Sequence, residues 1–129
     1  MPAKFNIETE LKKRILVLDG AMGTMLQRFK FDEADFRGER FKSHHKDVKG
    51  NNDLLCFTQA EAVKSVHRDY FEAGADMIET NTFNANGISQ ADYDLVGICY
   101  ELNLKAAQLA RECADEMSRK YPHRPFWVA

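Results

Sequence analysis

The chain has 129 residues, 44% of them hydrophobic, enough for one domain with a real core. Its 18 basic and 20 acidic side chains give a formal net charge of −2, which leaves no basic stripe for nucleic acid or an anionic membrane surface. No apolar run is long enough to span a bilayer, Met1 to Arg14 holds no apolar export segment, and 3 cysteines without paired spacing suit a reducing, cytoplasmic compartment.

Residues 1–14 read as a lead-in, with Lys4 to Arg14 expected to form a short amphipathic helix carrying Phe5, Ile7 and Leu11. The apolar run Ile15-Leu16-Val17-Leu18 predicts a strand buried on both faces. It ends at Asp19, the position at which α/β proteins place ligand sites, beyond the C-terminal end of a parallel strand. Gly20 and Gly23 permit positive φ and let backbone amides approach a ligand. Two readings of Asp19 stand side by side: a ligand group, or a cap on the helix that begins near Met22. Met22, Met25, Leu26 and Phe29 recur at helical spacing and predict that helix's apolar face. The segment Gly20-Ala21-Met22-Gly23-Thr24 fits neither the dinucleotide fingerprint nor the P-loop.

Phe29 to Asn52 is charged, contains Gly38 and Gly50, and shows neither period, so it predicts a long surface excursion. His44 and His45 within it are not read as metal ligands, because neighbouring loop side chains point apart and no acid or cysteine lies at ligand spacing. Thr58 and Glu61 fit a capping box. The helix it opens carries Val63, Val66 and Tyr70 on one face, with His67 and Phe71 on the flank, and stops at Gly74. His67 is expected at the core's edge with its polar atoms satisfied.

Met77 to Phe83 reads as the second strand, with polar residues where a buried strand is normally apolar. An unpaired buried hydroxyl or amide costs about 1–3 kcal/mol, so Glu79 to Thr82 call for partners or a ligand at that end of the strand. Asn84, Asn86 and Gly87 continue as a polar loop. Leu95, Cys99, Leu102, Ala106, Leu109, Cys113 and Met117 form one stripe on a long helix. On a continuous helix Cys99 and Cys113 lie about 21 Å apart, too far to share a zinc, whose sulfur ligands sit about 4 Å from each other. These two and Cys56 read as core thiols. Phe126 to Ala129 opens a third strand that has no following helix to cover it, as expected of a polypeptide cut at this point. Strand, helix, strand, helix, strand is the rhythm of a parallel sheet with right-handed crossovers.

Four motifs occur in order: ILVLDGAMGTMLQ from Ile15, EADFRGERF from Glu33, GNNDLL from Gly50 and IETNTF from Ile78. Together they resemble the start of the homocysteine-binding domain of cobalamin-dependent methionine synthases, within the wider homocysteine S-methyltransferase family. The resemblance covers nearly the whole chain. It implies an α/β fold, the first three strands or so of a (β/α)8 TIM barrel that is incomplete as given, with residues 15–129 as its first βα units. The implied reaction transfers a methyl group from methylcobalamin, and ultimately from methyltetrahydrofolate, to zinc-bound homocysteine. By motif match, Asp19 and Gly20 hold the amino acid end of homocysteine, while Glu79, Thr82 and Phe83 line the same mouth. Implied partners are homocysteine and downstream folate-, cobalamin- and activation-type modules. Zinc and cobalamin belong to the full-length enzyme. The family's zinc thiolates sit among glycines, a context that Cys56, Cys99 and Cys113 lack, so the expectation for these residues is half a binding site and no metal site. The alternative is a truncated, non-catalytic relative acting as a binding module through its bare sheet edge.

Overall fold

The structure, a computed structural model, describes residues 4–129. Its two longest helices face each other. α5 (Ala60–Ala73) turns Ala62, Val63, Val66, His67 and Phe71 inward, and α7 (Cys99–Lys120) turns Leu102, Ala106, Leu109, Ala110, Cys113, Ala114 and Met117 inward. The helical stripe read from the sequence is therefore the buried face of α7, apart from Leu95, which lies buried ahead of the helix, and half-buried Cys99. Charged ties close the seam between the two helices. Lys64 Nζ meets Glu112 at 3.0 Å and Glu116 at 3.2 Å, and Arg68 Nε meets Glu116 at 2.9 Å. Gly74 ends α5 in the left-handed region at φ 116°, with its N–H donating to the Phe71 carbonyl and that of Ala75 to Tyr70.

The sheet is small and parallel. β1 (Met77–Ile78) pairs with β2 (Trp127–Val128), and Leu18 forms a single parallel bridge to Met77 on the other side. Phe126, just before β2, packs edge-on against Phe71 of α5 at 5.1 Å between ring centres. Asp76 welds the first segment to β1: its carboxylate accepts from the Val17 N–H at 2.8 Å and meets Arg14 at 3.0 Å. The arrangement is a mixed helical fold with a small sheet.

Several expectations change. The Ile15–Leu18 strand is not buried on both faces: Ile15 is 87% exposed and Leu18 47%, because this edge segment has β1 as its one neighbour. The lead-in helix, α1, spans Ile7–Leu11, capped by Asn6, and buries nothing. The second strand, β1, spans only Met77–Ile78; one more ladder bond follows, from the Thr80 N–H to the Ala129 carbonyl at 3.0 Å, before a turn closed by the Thr82 N–H on the Thr80 carbonyl. Thr58 does not cap α5. It belongs to a separate short helix, α4 (Leu55–Thr58), and Gln59 starts α5 without a side-chain cap. His67 is fully buried, and neither ring nitrogen has a hydrogen-bond partner among the described residues.

The excursion from Phe29 to Asn52 is ordered by charge. α3 (Glu33–Arg37) opens with a capping box between Asp32 and Asp35. Glu33 accepts the N–H groups of Val48 and Lys49 at 2.7 Å each, and Arg37 donates to the carbonyls of Phe41, His44 and Lys46. His44 and His45 are engaged by the Tyr93 carbonyl at 2.7 Å and the Asp94 carboxylate at 2.8 Å.

Candidate functional site

The C-terminal ends of the parallel segments open onto a cavity of about 590 Å³. The loop after Leu18 contributes Asp19, Gly20, Ala21, Met22 and Gly23. The turn after β1 contributes Glu79 through Asn84, the GNNDLL segment adds Asn52 and Asp53, and Ala129 adds the end of the third segment. All five residues singled out from the sequence, Asp19, Gly20, Glu79, Thr82 and Phe83, line this one cavity. Phe83 does so from the rim, where it is 93% exposed.

Asp19 does not cap the following helix, α2 (Met22–Leu26), whose N-cap is Ala21 without a side-chain bond. Its carboxylate instead accepts the Glu79 N–H at 3.1 Å, and its own N–H donates to the Met77 carbonyl at 2.9 Å. Burial pushes the Asp19 carboxyl up to about 6; the Glu79 N–H opposes that shift and the Glu79 charge adds to it. The carboxyl is thus fixed across the mouth from the first segment to the second.

Gly20 and Gly23 are needed for space and not for positive φ, which in this chain's glycines occurs at Gly38, Gly50 and Gly74. A Cβ on Gly20 would lie 3.2 Å from the Tyr70 hydroxyl, and one on Gly23 would lie 3.3 Å from Asn52 Nδ2. Tyr70 donates its hydroxyl to the Ala21 carbonyl at 3.0 Å, so α5 props the loop from beneath.

Two carboxylates, Asp19 and Glu79, open onto the cavity, with Asp53 buried in its wall, and among the described residues no lysine, arginine or histidine lines it. Such a field favours a cation, while the exposed backbone N–H groups of the glycine loop suit a carboxylate. An α-amino acid carries both charges. Asp53 is a site residue that reading the sequence did not single out. It lies inside the GNNDLL motif and is 2% exposed, and its carboxylate accepts the Asn84 N–H at 2.9 Å. The signal in the sequence was an acid at the head of an apolar run, Asp53-Leu54-Leu55-Cys56.

These residues do not fit a metal. Among the described residues no three His, Cys, Asp or Glu side chains converge on one point. Burial pushes the Cys56 thiol up to about 12 and the Cys113 thiol up to about 11, away from the thiolate a metal takes. Cys56 is held by Asn81, and Cys113 donates to the Lys64 carbonyl.

The sequence model of the homocysteine S-methyltransferase family matches residues 16–129. The crystal structure of the metallated form of the homocysteine methyltransferase MmuM from Escherichia coli superposes with a TM-score of 0.73 at 25% identity, covering 95% of this chain. Its oxidised form gives 0.74 at 26% identity, again over 95% of this chain. In both cases the chain spans 39% of the length of the protein it matches.

Proposed function

This chain belongs to the homocysteine S-methyltransferase family, and we propose that it forms the N-terminal part of a homocysteine-binding (β/α)8 barrel of the cobalamin-dependent methionine synthase type. Its cavity then holds the amino acid end of homocysteine. Asp19 receives the ammonium, the backbone amides at Gly20 receive the carboxylate, and Glu79, Thr82 and Phe83 line the mouth. The observation that carries this reading is the convergence of those five residues, drawn from two segments some sixty positions apart, on one acidic cavity.

In the proposed reaction the homocysteine sulfur loses its proton and uses its electron pair to form a bond to a methyl carbon, while that carbon's bond to the methyl donor breaks and its electron pair leaves with the donor. Cobalamin, when bound, supplies the methyl group. The residues described here bind and orient the acceptor. None of the described residues fits zinc. The EADFRGERF and GNNDLL segments favour the cobalamin-dependent type over simpler homocysteine methyltransferases. The folate-, cobalamin- and activation-type modules belong to the same proposal.

Calorimetric titration of L-homocysteine into the wild-type chain and Asp19→Asn tests this reading. Losing a charged hydrogen bond to the ammonium weakens binding by about tenfold or more. The wild-type affinity should also rise as the pH passes upward through about 6, because the ionised carboxylate is the form that holds the ammonium. Equal affinities in the two proteins would remove Asp19 from the site. Saturable binding by a chain that shows no methyl transfer within its native polypeptide would favour the non-catalytic binding module instead.

A further inference from the structure

The turn that carries Thr82, Phe83 and Asn84 has little regular structure to hold it, yet its attachment to the rest of the molecule is dense and buried. The Asp53 carboxylate accepts the Asn84 N–H at 2.9 Å. The Asn84 carbonyl accepts from Gln90 Nε2 at 3.0 Å. Gln90, on the short helix α6 (Gly87–Ala91), is fully buried and exchanges two amide bonds with Asn51, at 2.8 and 3.1 Å. Asn81, 6% exposed, donates to the Asn52 carbonyl at 3.0 Å. Asn51, Asn52 and Asp53 are consecutive, so one stretch of backbone clamps the turn from both ends.

Apolar side chains in these places would leave the Asn84 N–H and carbonyl without these partners and would fix no direction. Hydrogen bonds instead specify direction and register, and a fully satisfied buried network holds one arrangement. The arrangement held here is the part of the cavity wall made by Thr82, Phe83 and Asn84.

We propose that Asn51, Asp53 and Gln90 are positioning residues that set the Thr82–Asn84 wall at the distance an α-amino acid substrate requires. This rests on the reading of the cavity as a homocysteine site. Asp53 acts as a hydrogen-bond acceptor for Asn84 and does not touch the substrate; its charge is incidental to the role.

The test uses Asp53→Ala and Asp53→Asn in the native polypeptide that carries these residues. Asp53→Ala should raise the KM for homocysteine about tenfold or more, with kcat changed less than about threefold. Asp53→Asn, which keeps the acceptor, should restore KM to within about threefold of wild type. Amide hydrogen exchange over residues 82–85 is the second measurement, and it needs no substrate. Asp53→Ala should speed exchange there about tenfold or more, while Asp53→Asn should leave it protected. Unchanged exchange in a folded Asp53→Ala protein overturns the proposal, as does an Asp53→Asn variant as impaired as Asp53→Ala. A wild-type protein that shows the expected exchange pattern but does not bind homocysteine would sink the substrate reading and leave the clamp standing.

Discussion

His67 lies in the helix interface at 0% exposure with neither ring nitrogen bonded among the described residues, so its burial carries a cost that no hydrogen bond offsets. Burial holds its pKa down at about 4, against 6.5 in the unfolded chain. Above 6.5 both states are neutral and the full stability is present. Between 6.5 and 4 the unfolded chain takes up a proton that the folded one refuses, and stability falls by about 1.4 kcal/mol per pH unit. His67→Leu is therefore expected to stabilise the protein by about 1–3 kcal/mol at pH 7 and to flatten the decline below pH 6.5, as read by denaturant melts at several pH values. A steeper acid decline in the variant would mean that the folded protein favours the charged imidazole at this position. Asp19 has the opposite sign. Its raised pKa gives the ligand-free protein a contribution that is present below 3.8 and lost as pH rises to about 6. An ammonium ligand would draw that pKa back down.

At the scale of elements, α3 and the loop behind it show how charge can do the work of a core. Arg37 is 17% exposed in its side chain, pairs with Glu33 at 2.8 Å and fans out to three loop carbonyls. The same helix buries Phe36, which meets Phe31 edge-on at 6.4 Å between ring centres. Arg37→Ala strands those carbonyls and the Glu33 carboxylate, with an expected loss of about 2–4 kcal/mol. Arg37→Lys should recover little of it, since an ammonium cannot span three acceptors in one plane. Denaturant melts, with limited proteolysis between Gly38 and Lys49, would check both variants. Equal stability of wild type and Arg37→Lys would show that the fork geometry is not needed.

At the scale of the whole molecule, the covering of the sheet is uneven. α5 and α7 shield β1 and β2, with Ile78 fully buried, whereas the Ile15–Leu18 edge faces outward with Val17 at 52% exposure. An apolar strand edge that faces outward invites pairing with another strand. The 129-residue chain is expected to self-associate as its concentration rises, and Val17→Lys should raise the concentration at which this begins, as measured by sedimentation velocity. Association unaffected by Val17→Lys would place the contact elsewhere, with the exposed Ile88 and Tyr100 as the next surfaces to test.

The long-helix stripe and the Gly74 stop were legible in the sequence alone, because periodicity and helix-stop chemistry are local properties written into neighbouring residues, whereas the grouping of Asp19 with the Glu79–Phe83 turn came from the family resemblance. The four ordered motifs likewise carried the family assignment. Tertiary structure alone decided that Ile15–Leu18 is an edge, that Thr58 ends one helix and does not cap the next, and that the charges of α3 fold a loop. It also decided that Asp53 reaches Asn84 across 31 positions and that Gly20 makes room for Tyr70. Burial and pairing between distant segments depend on which surfaces meet, and a sequence lists its surfaces without saying which of them meet.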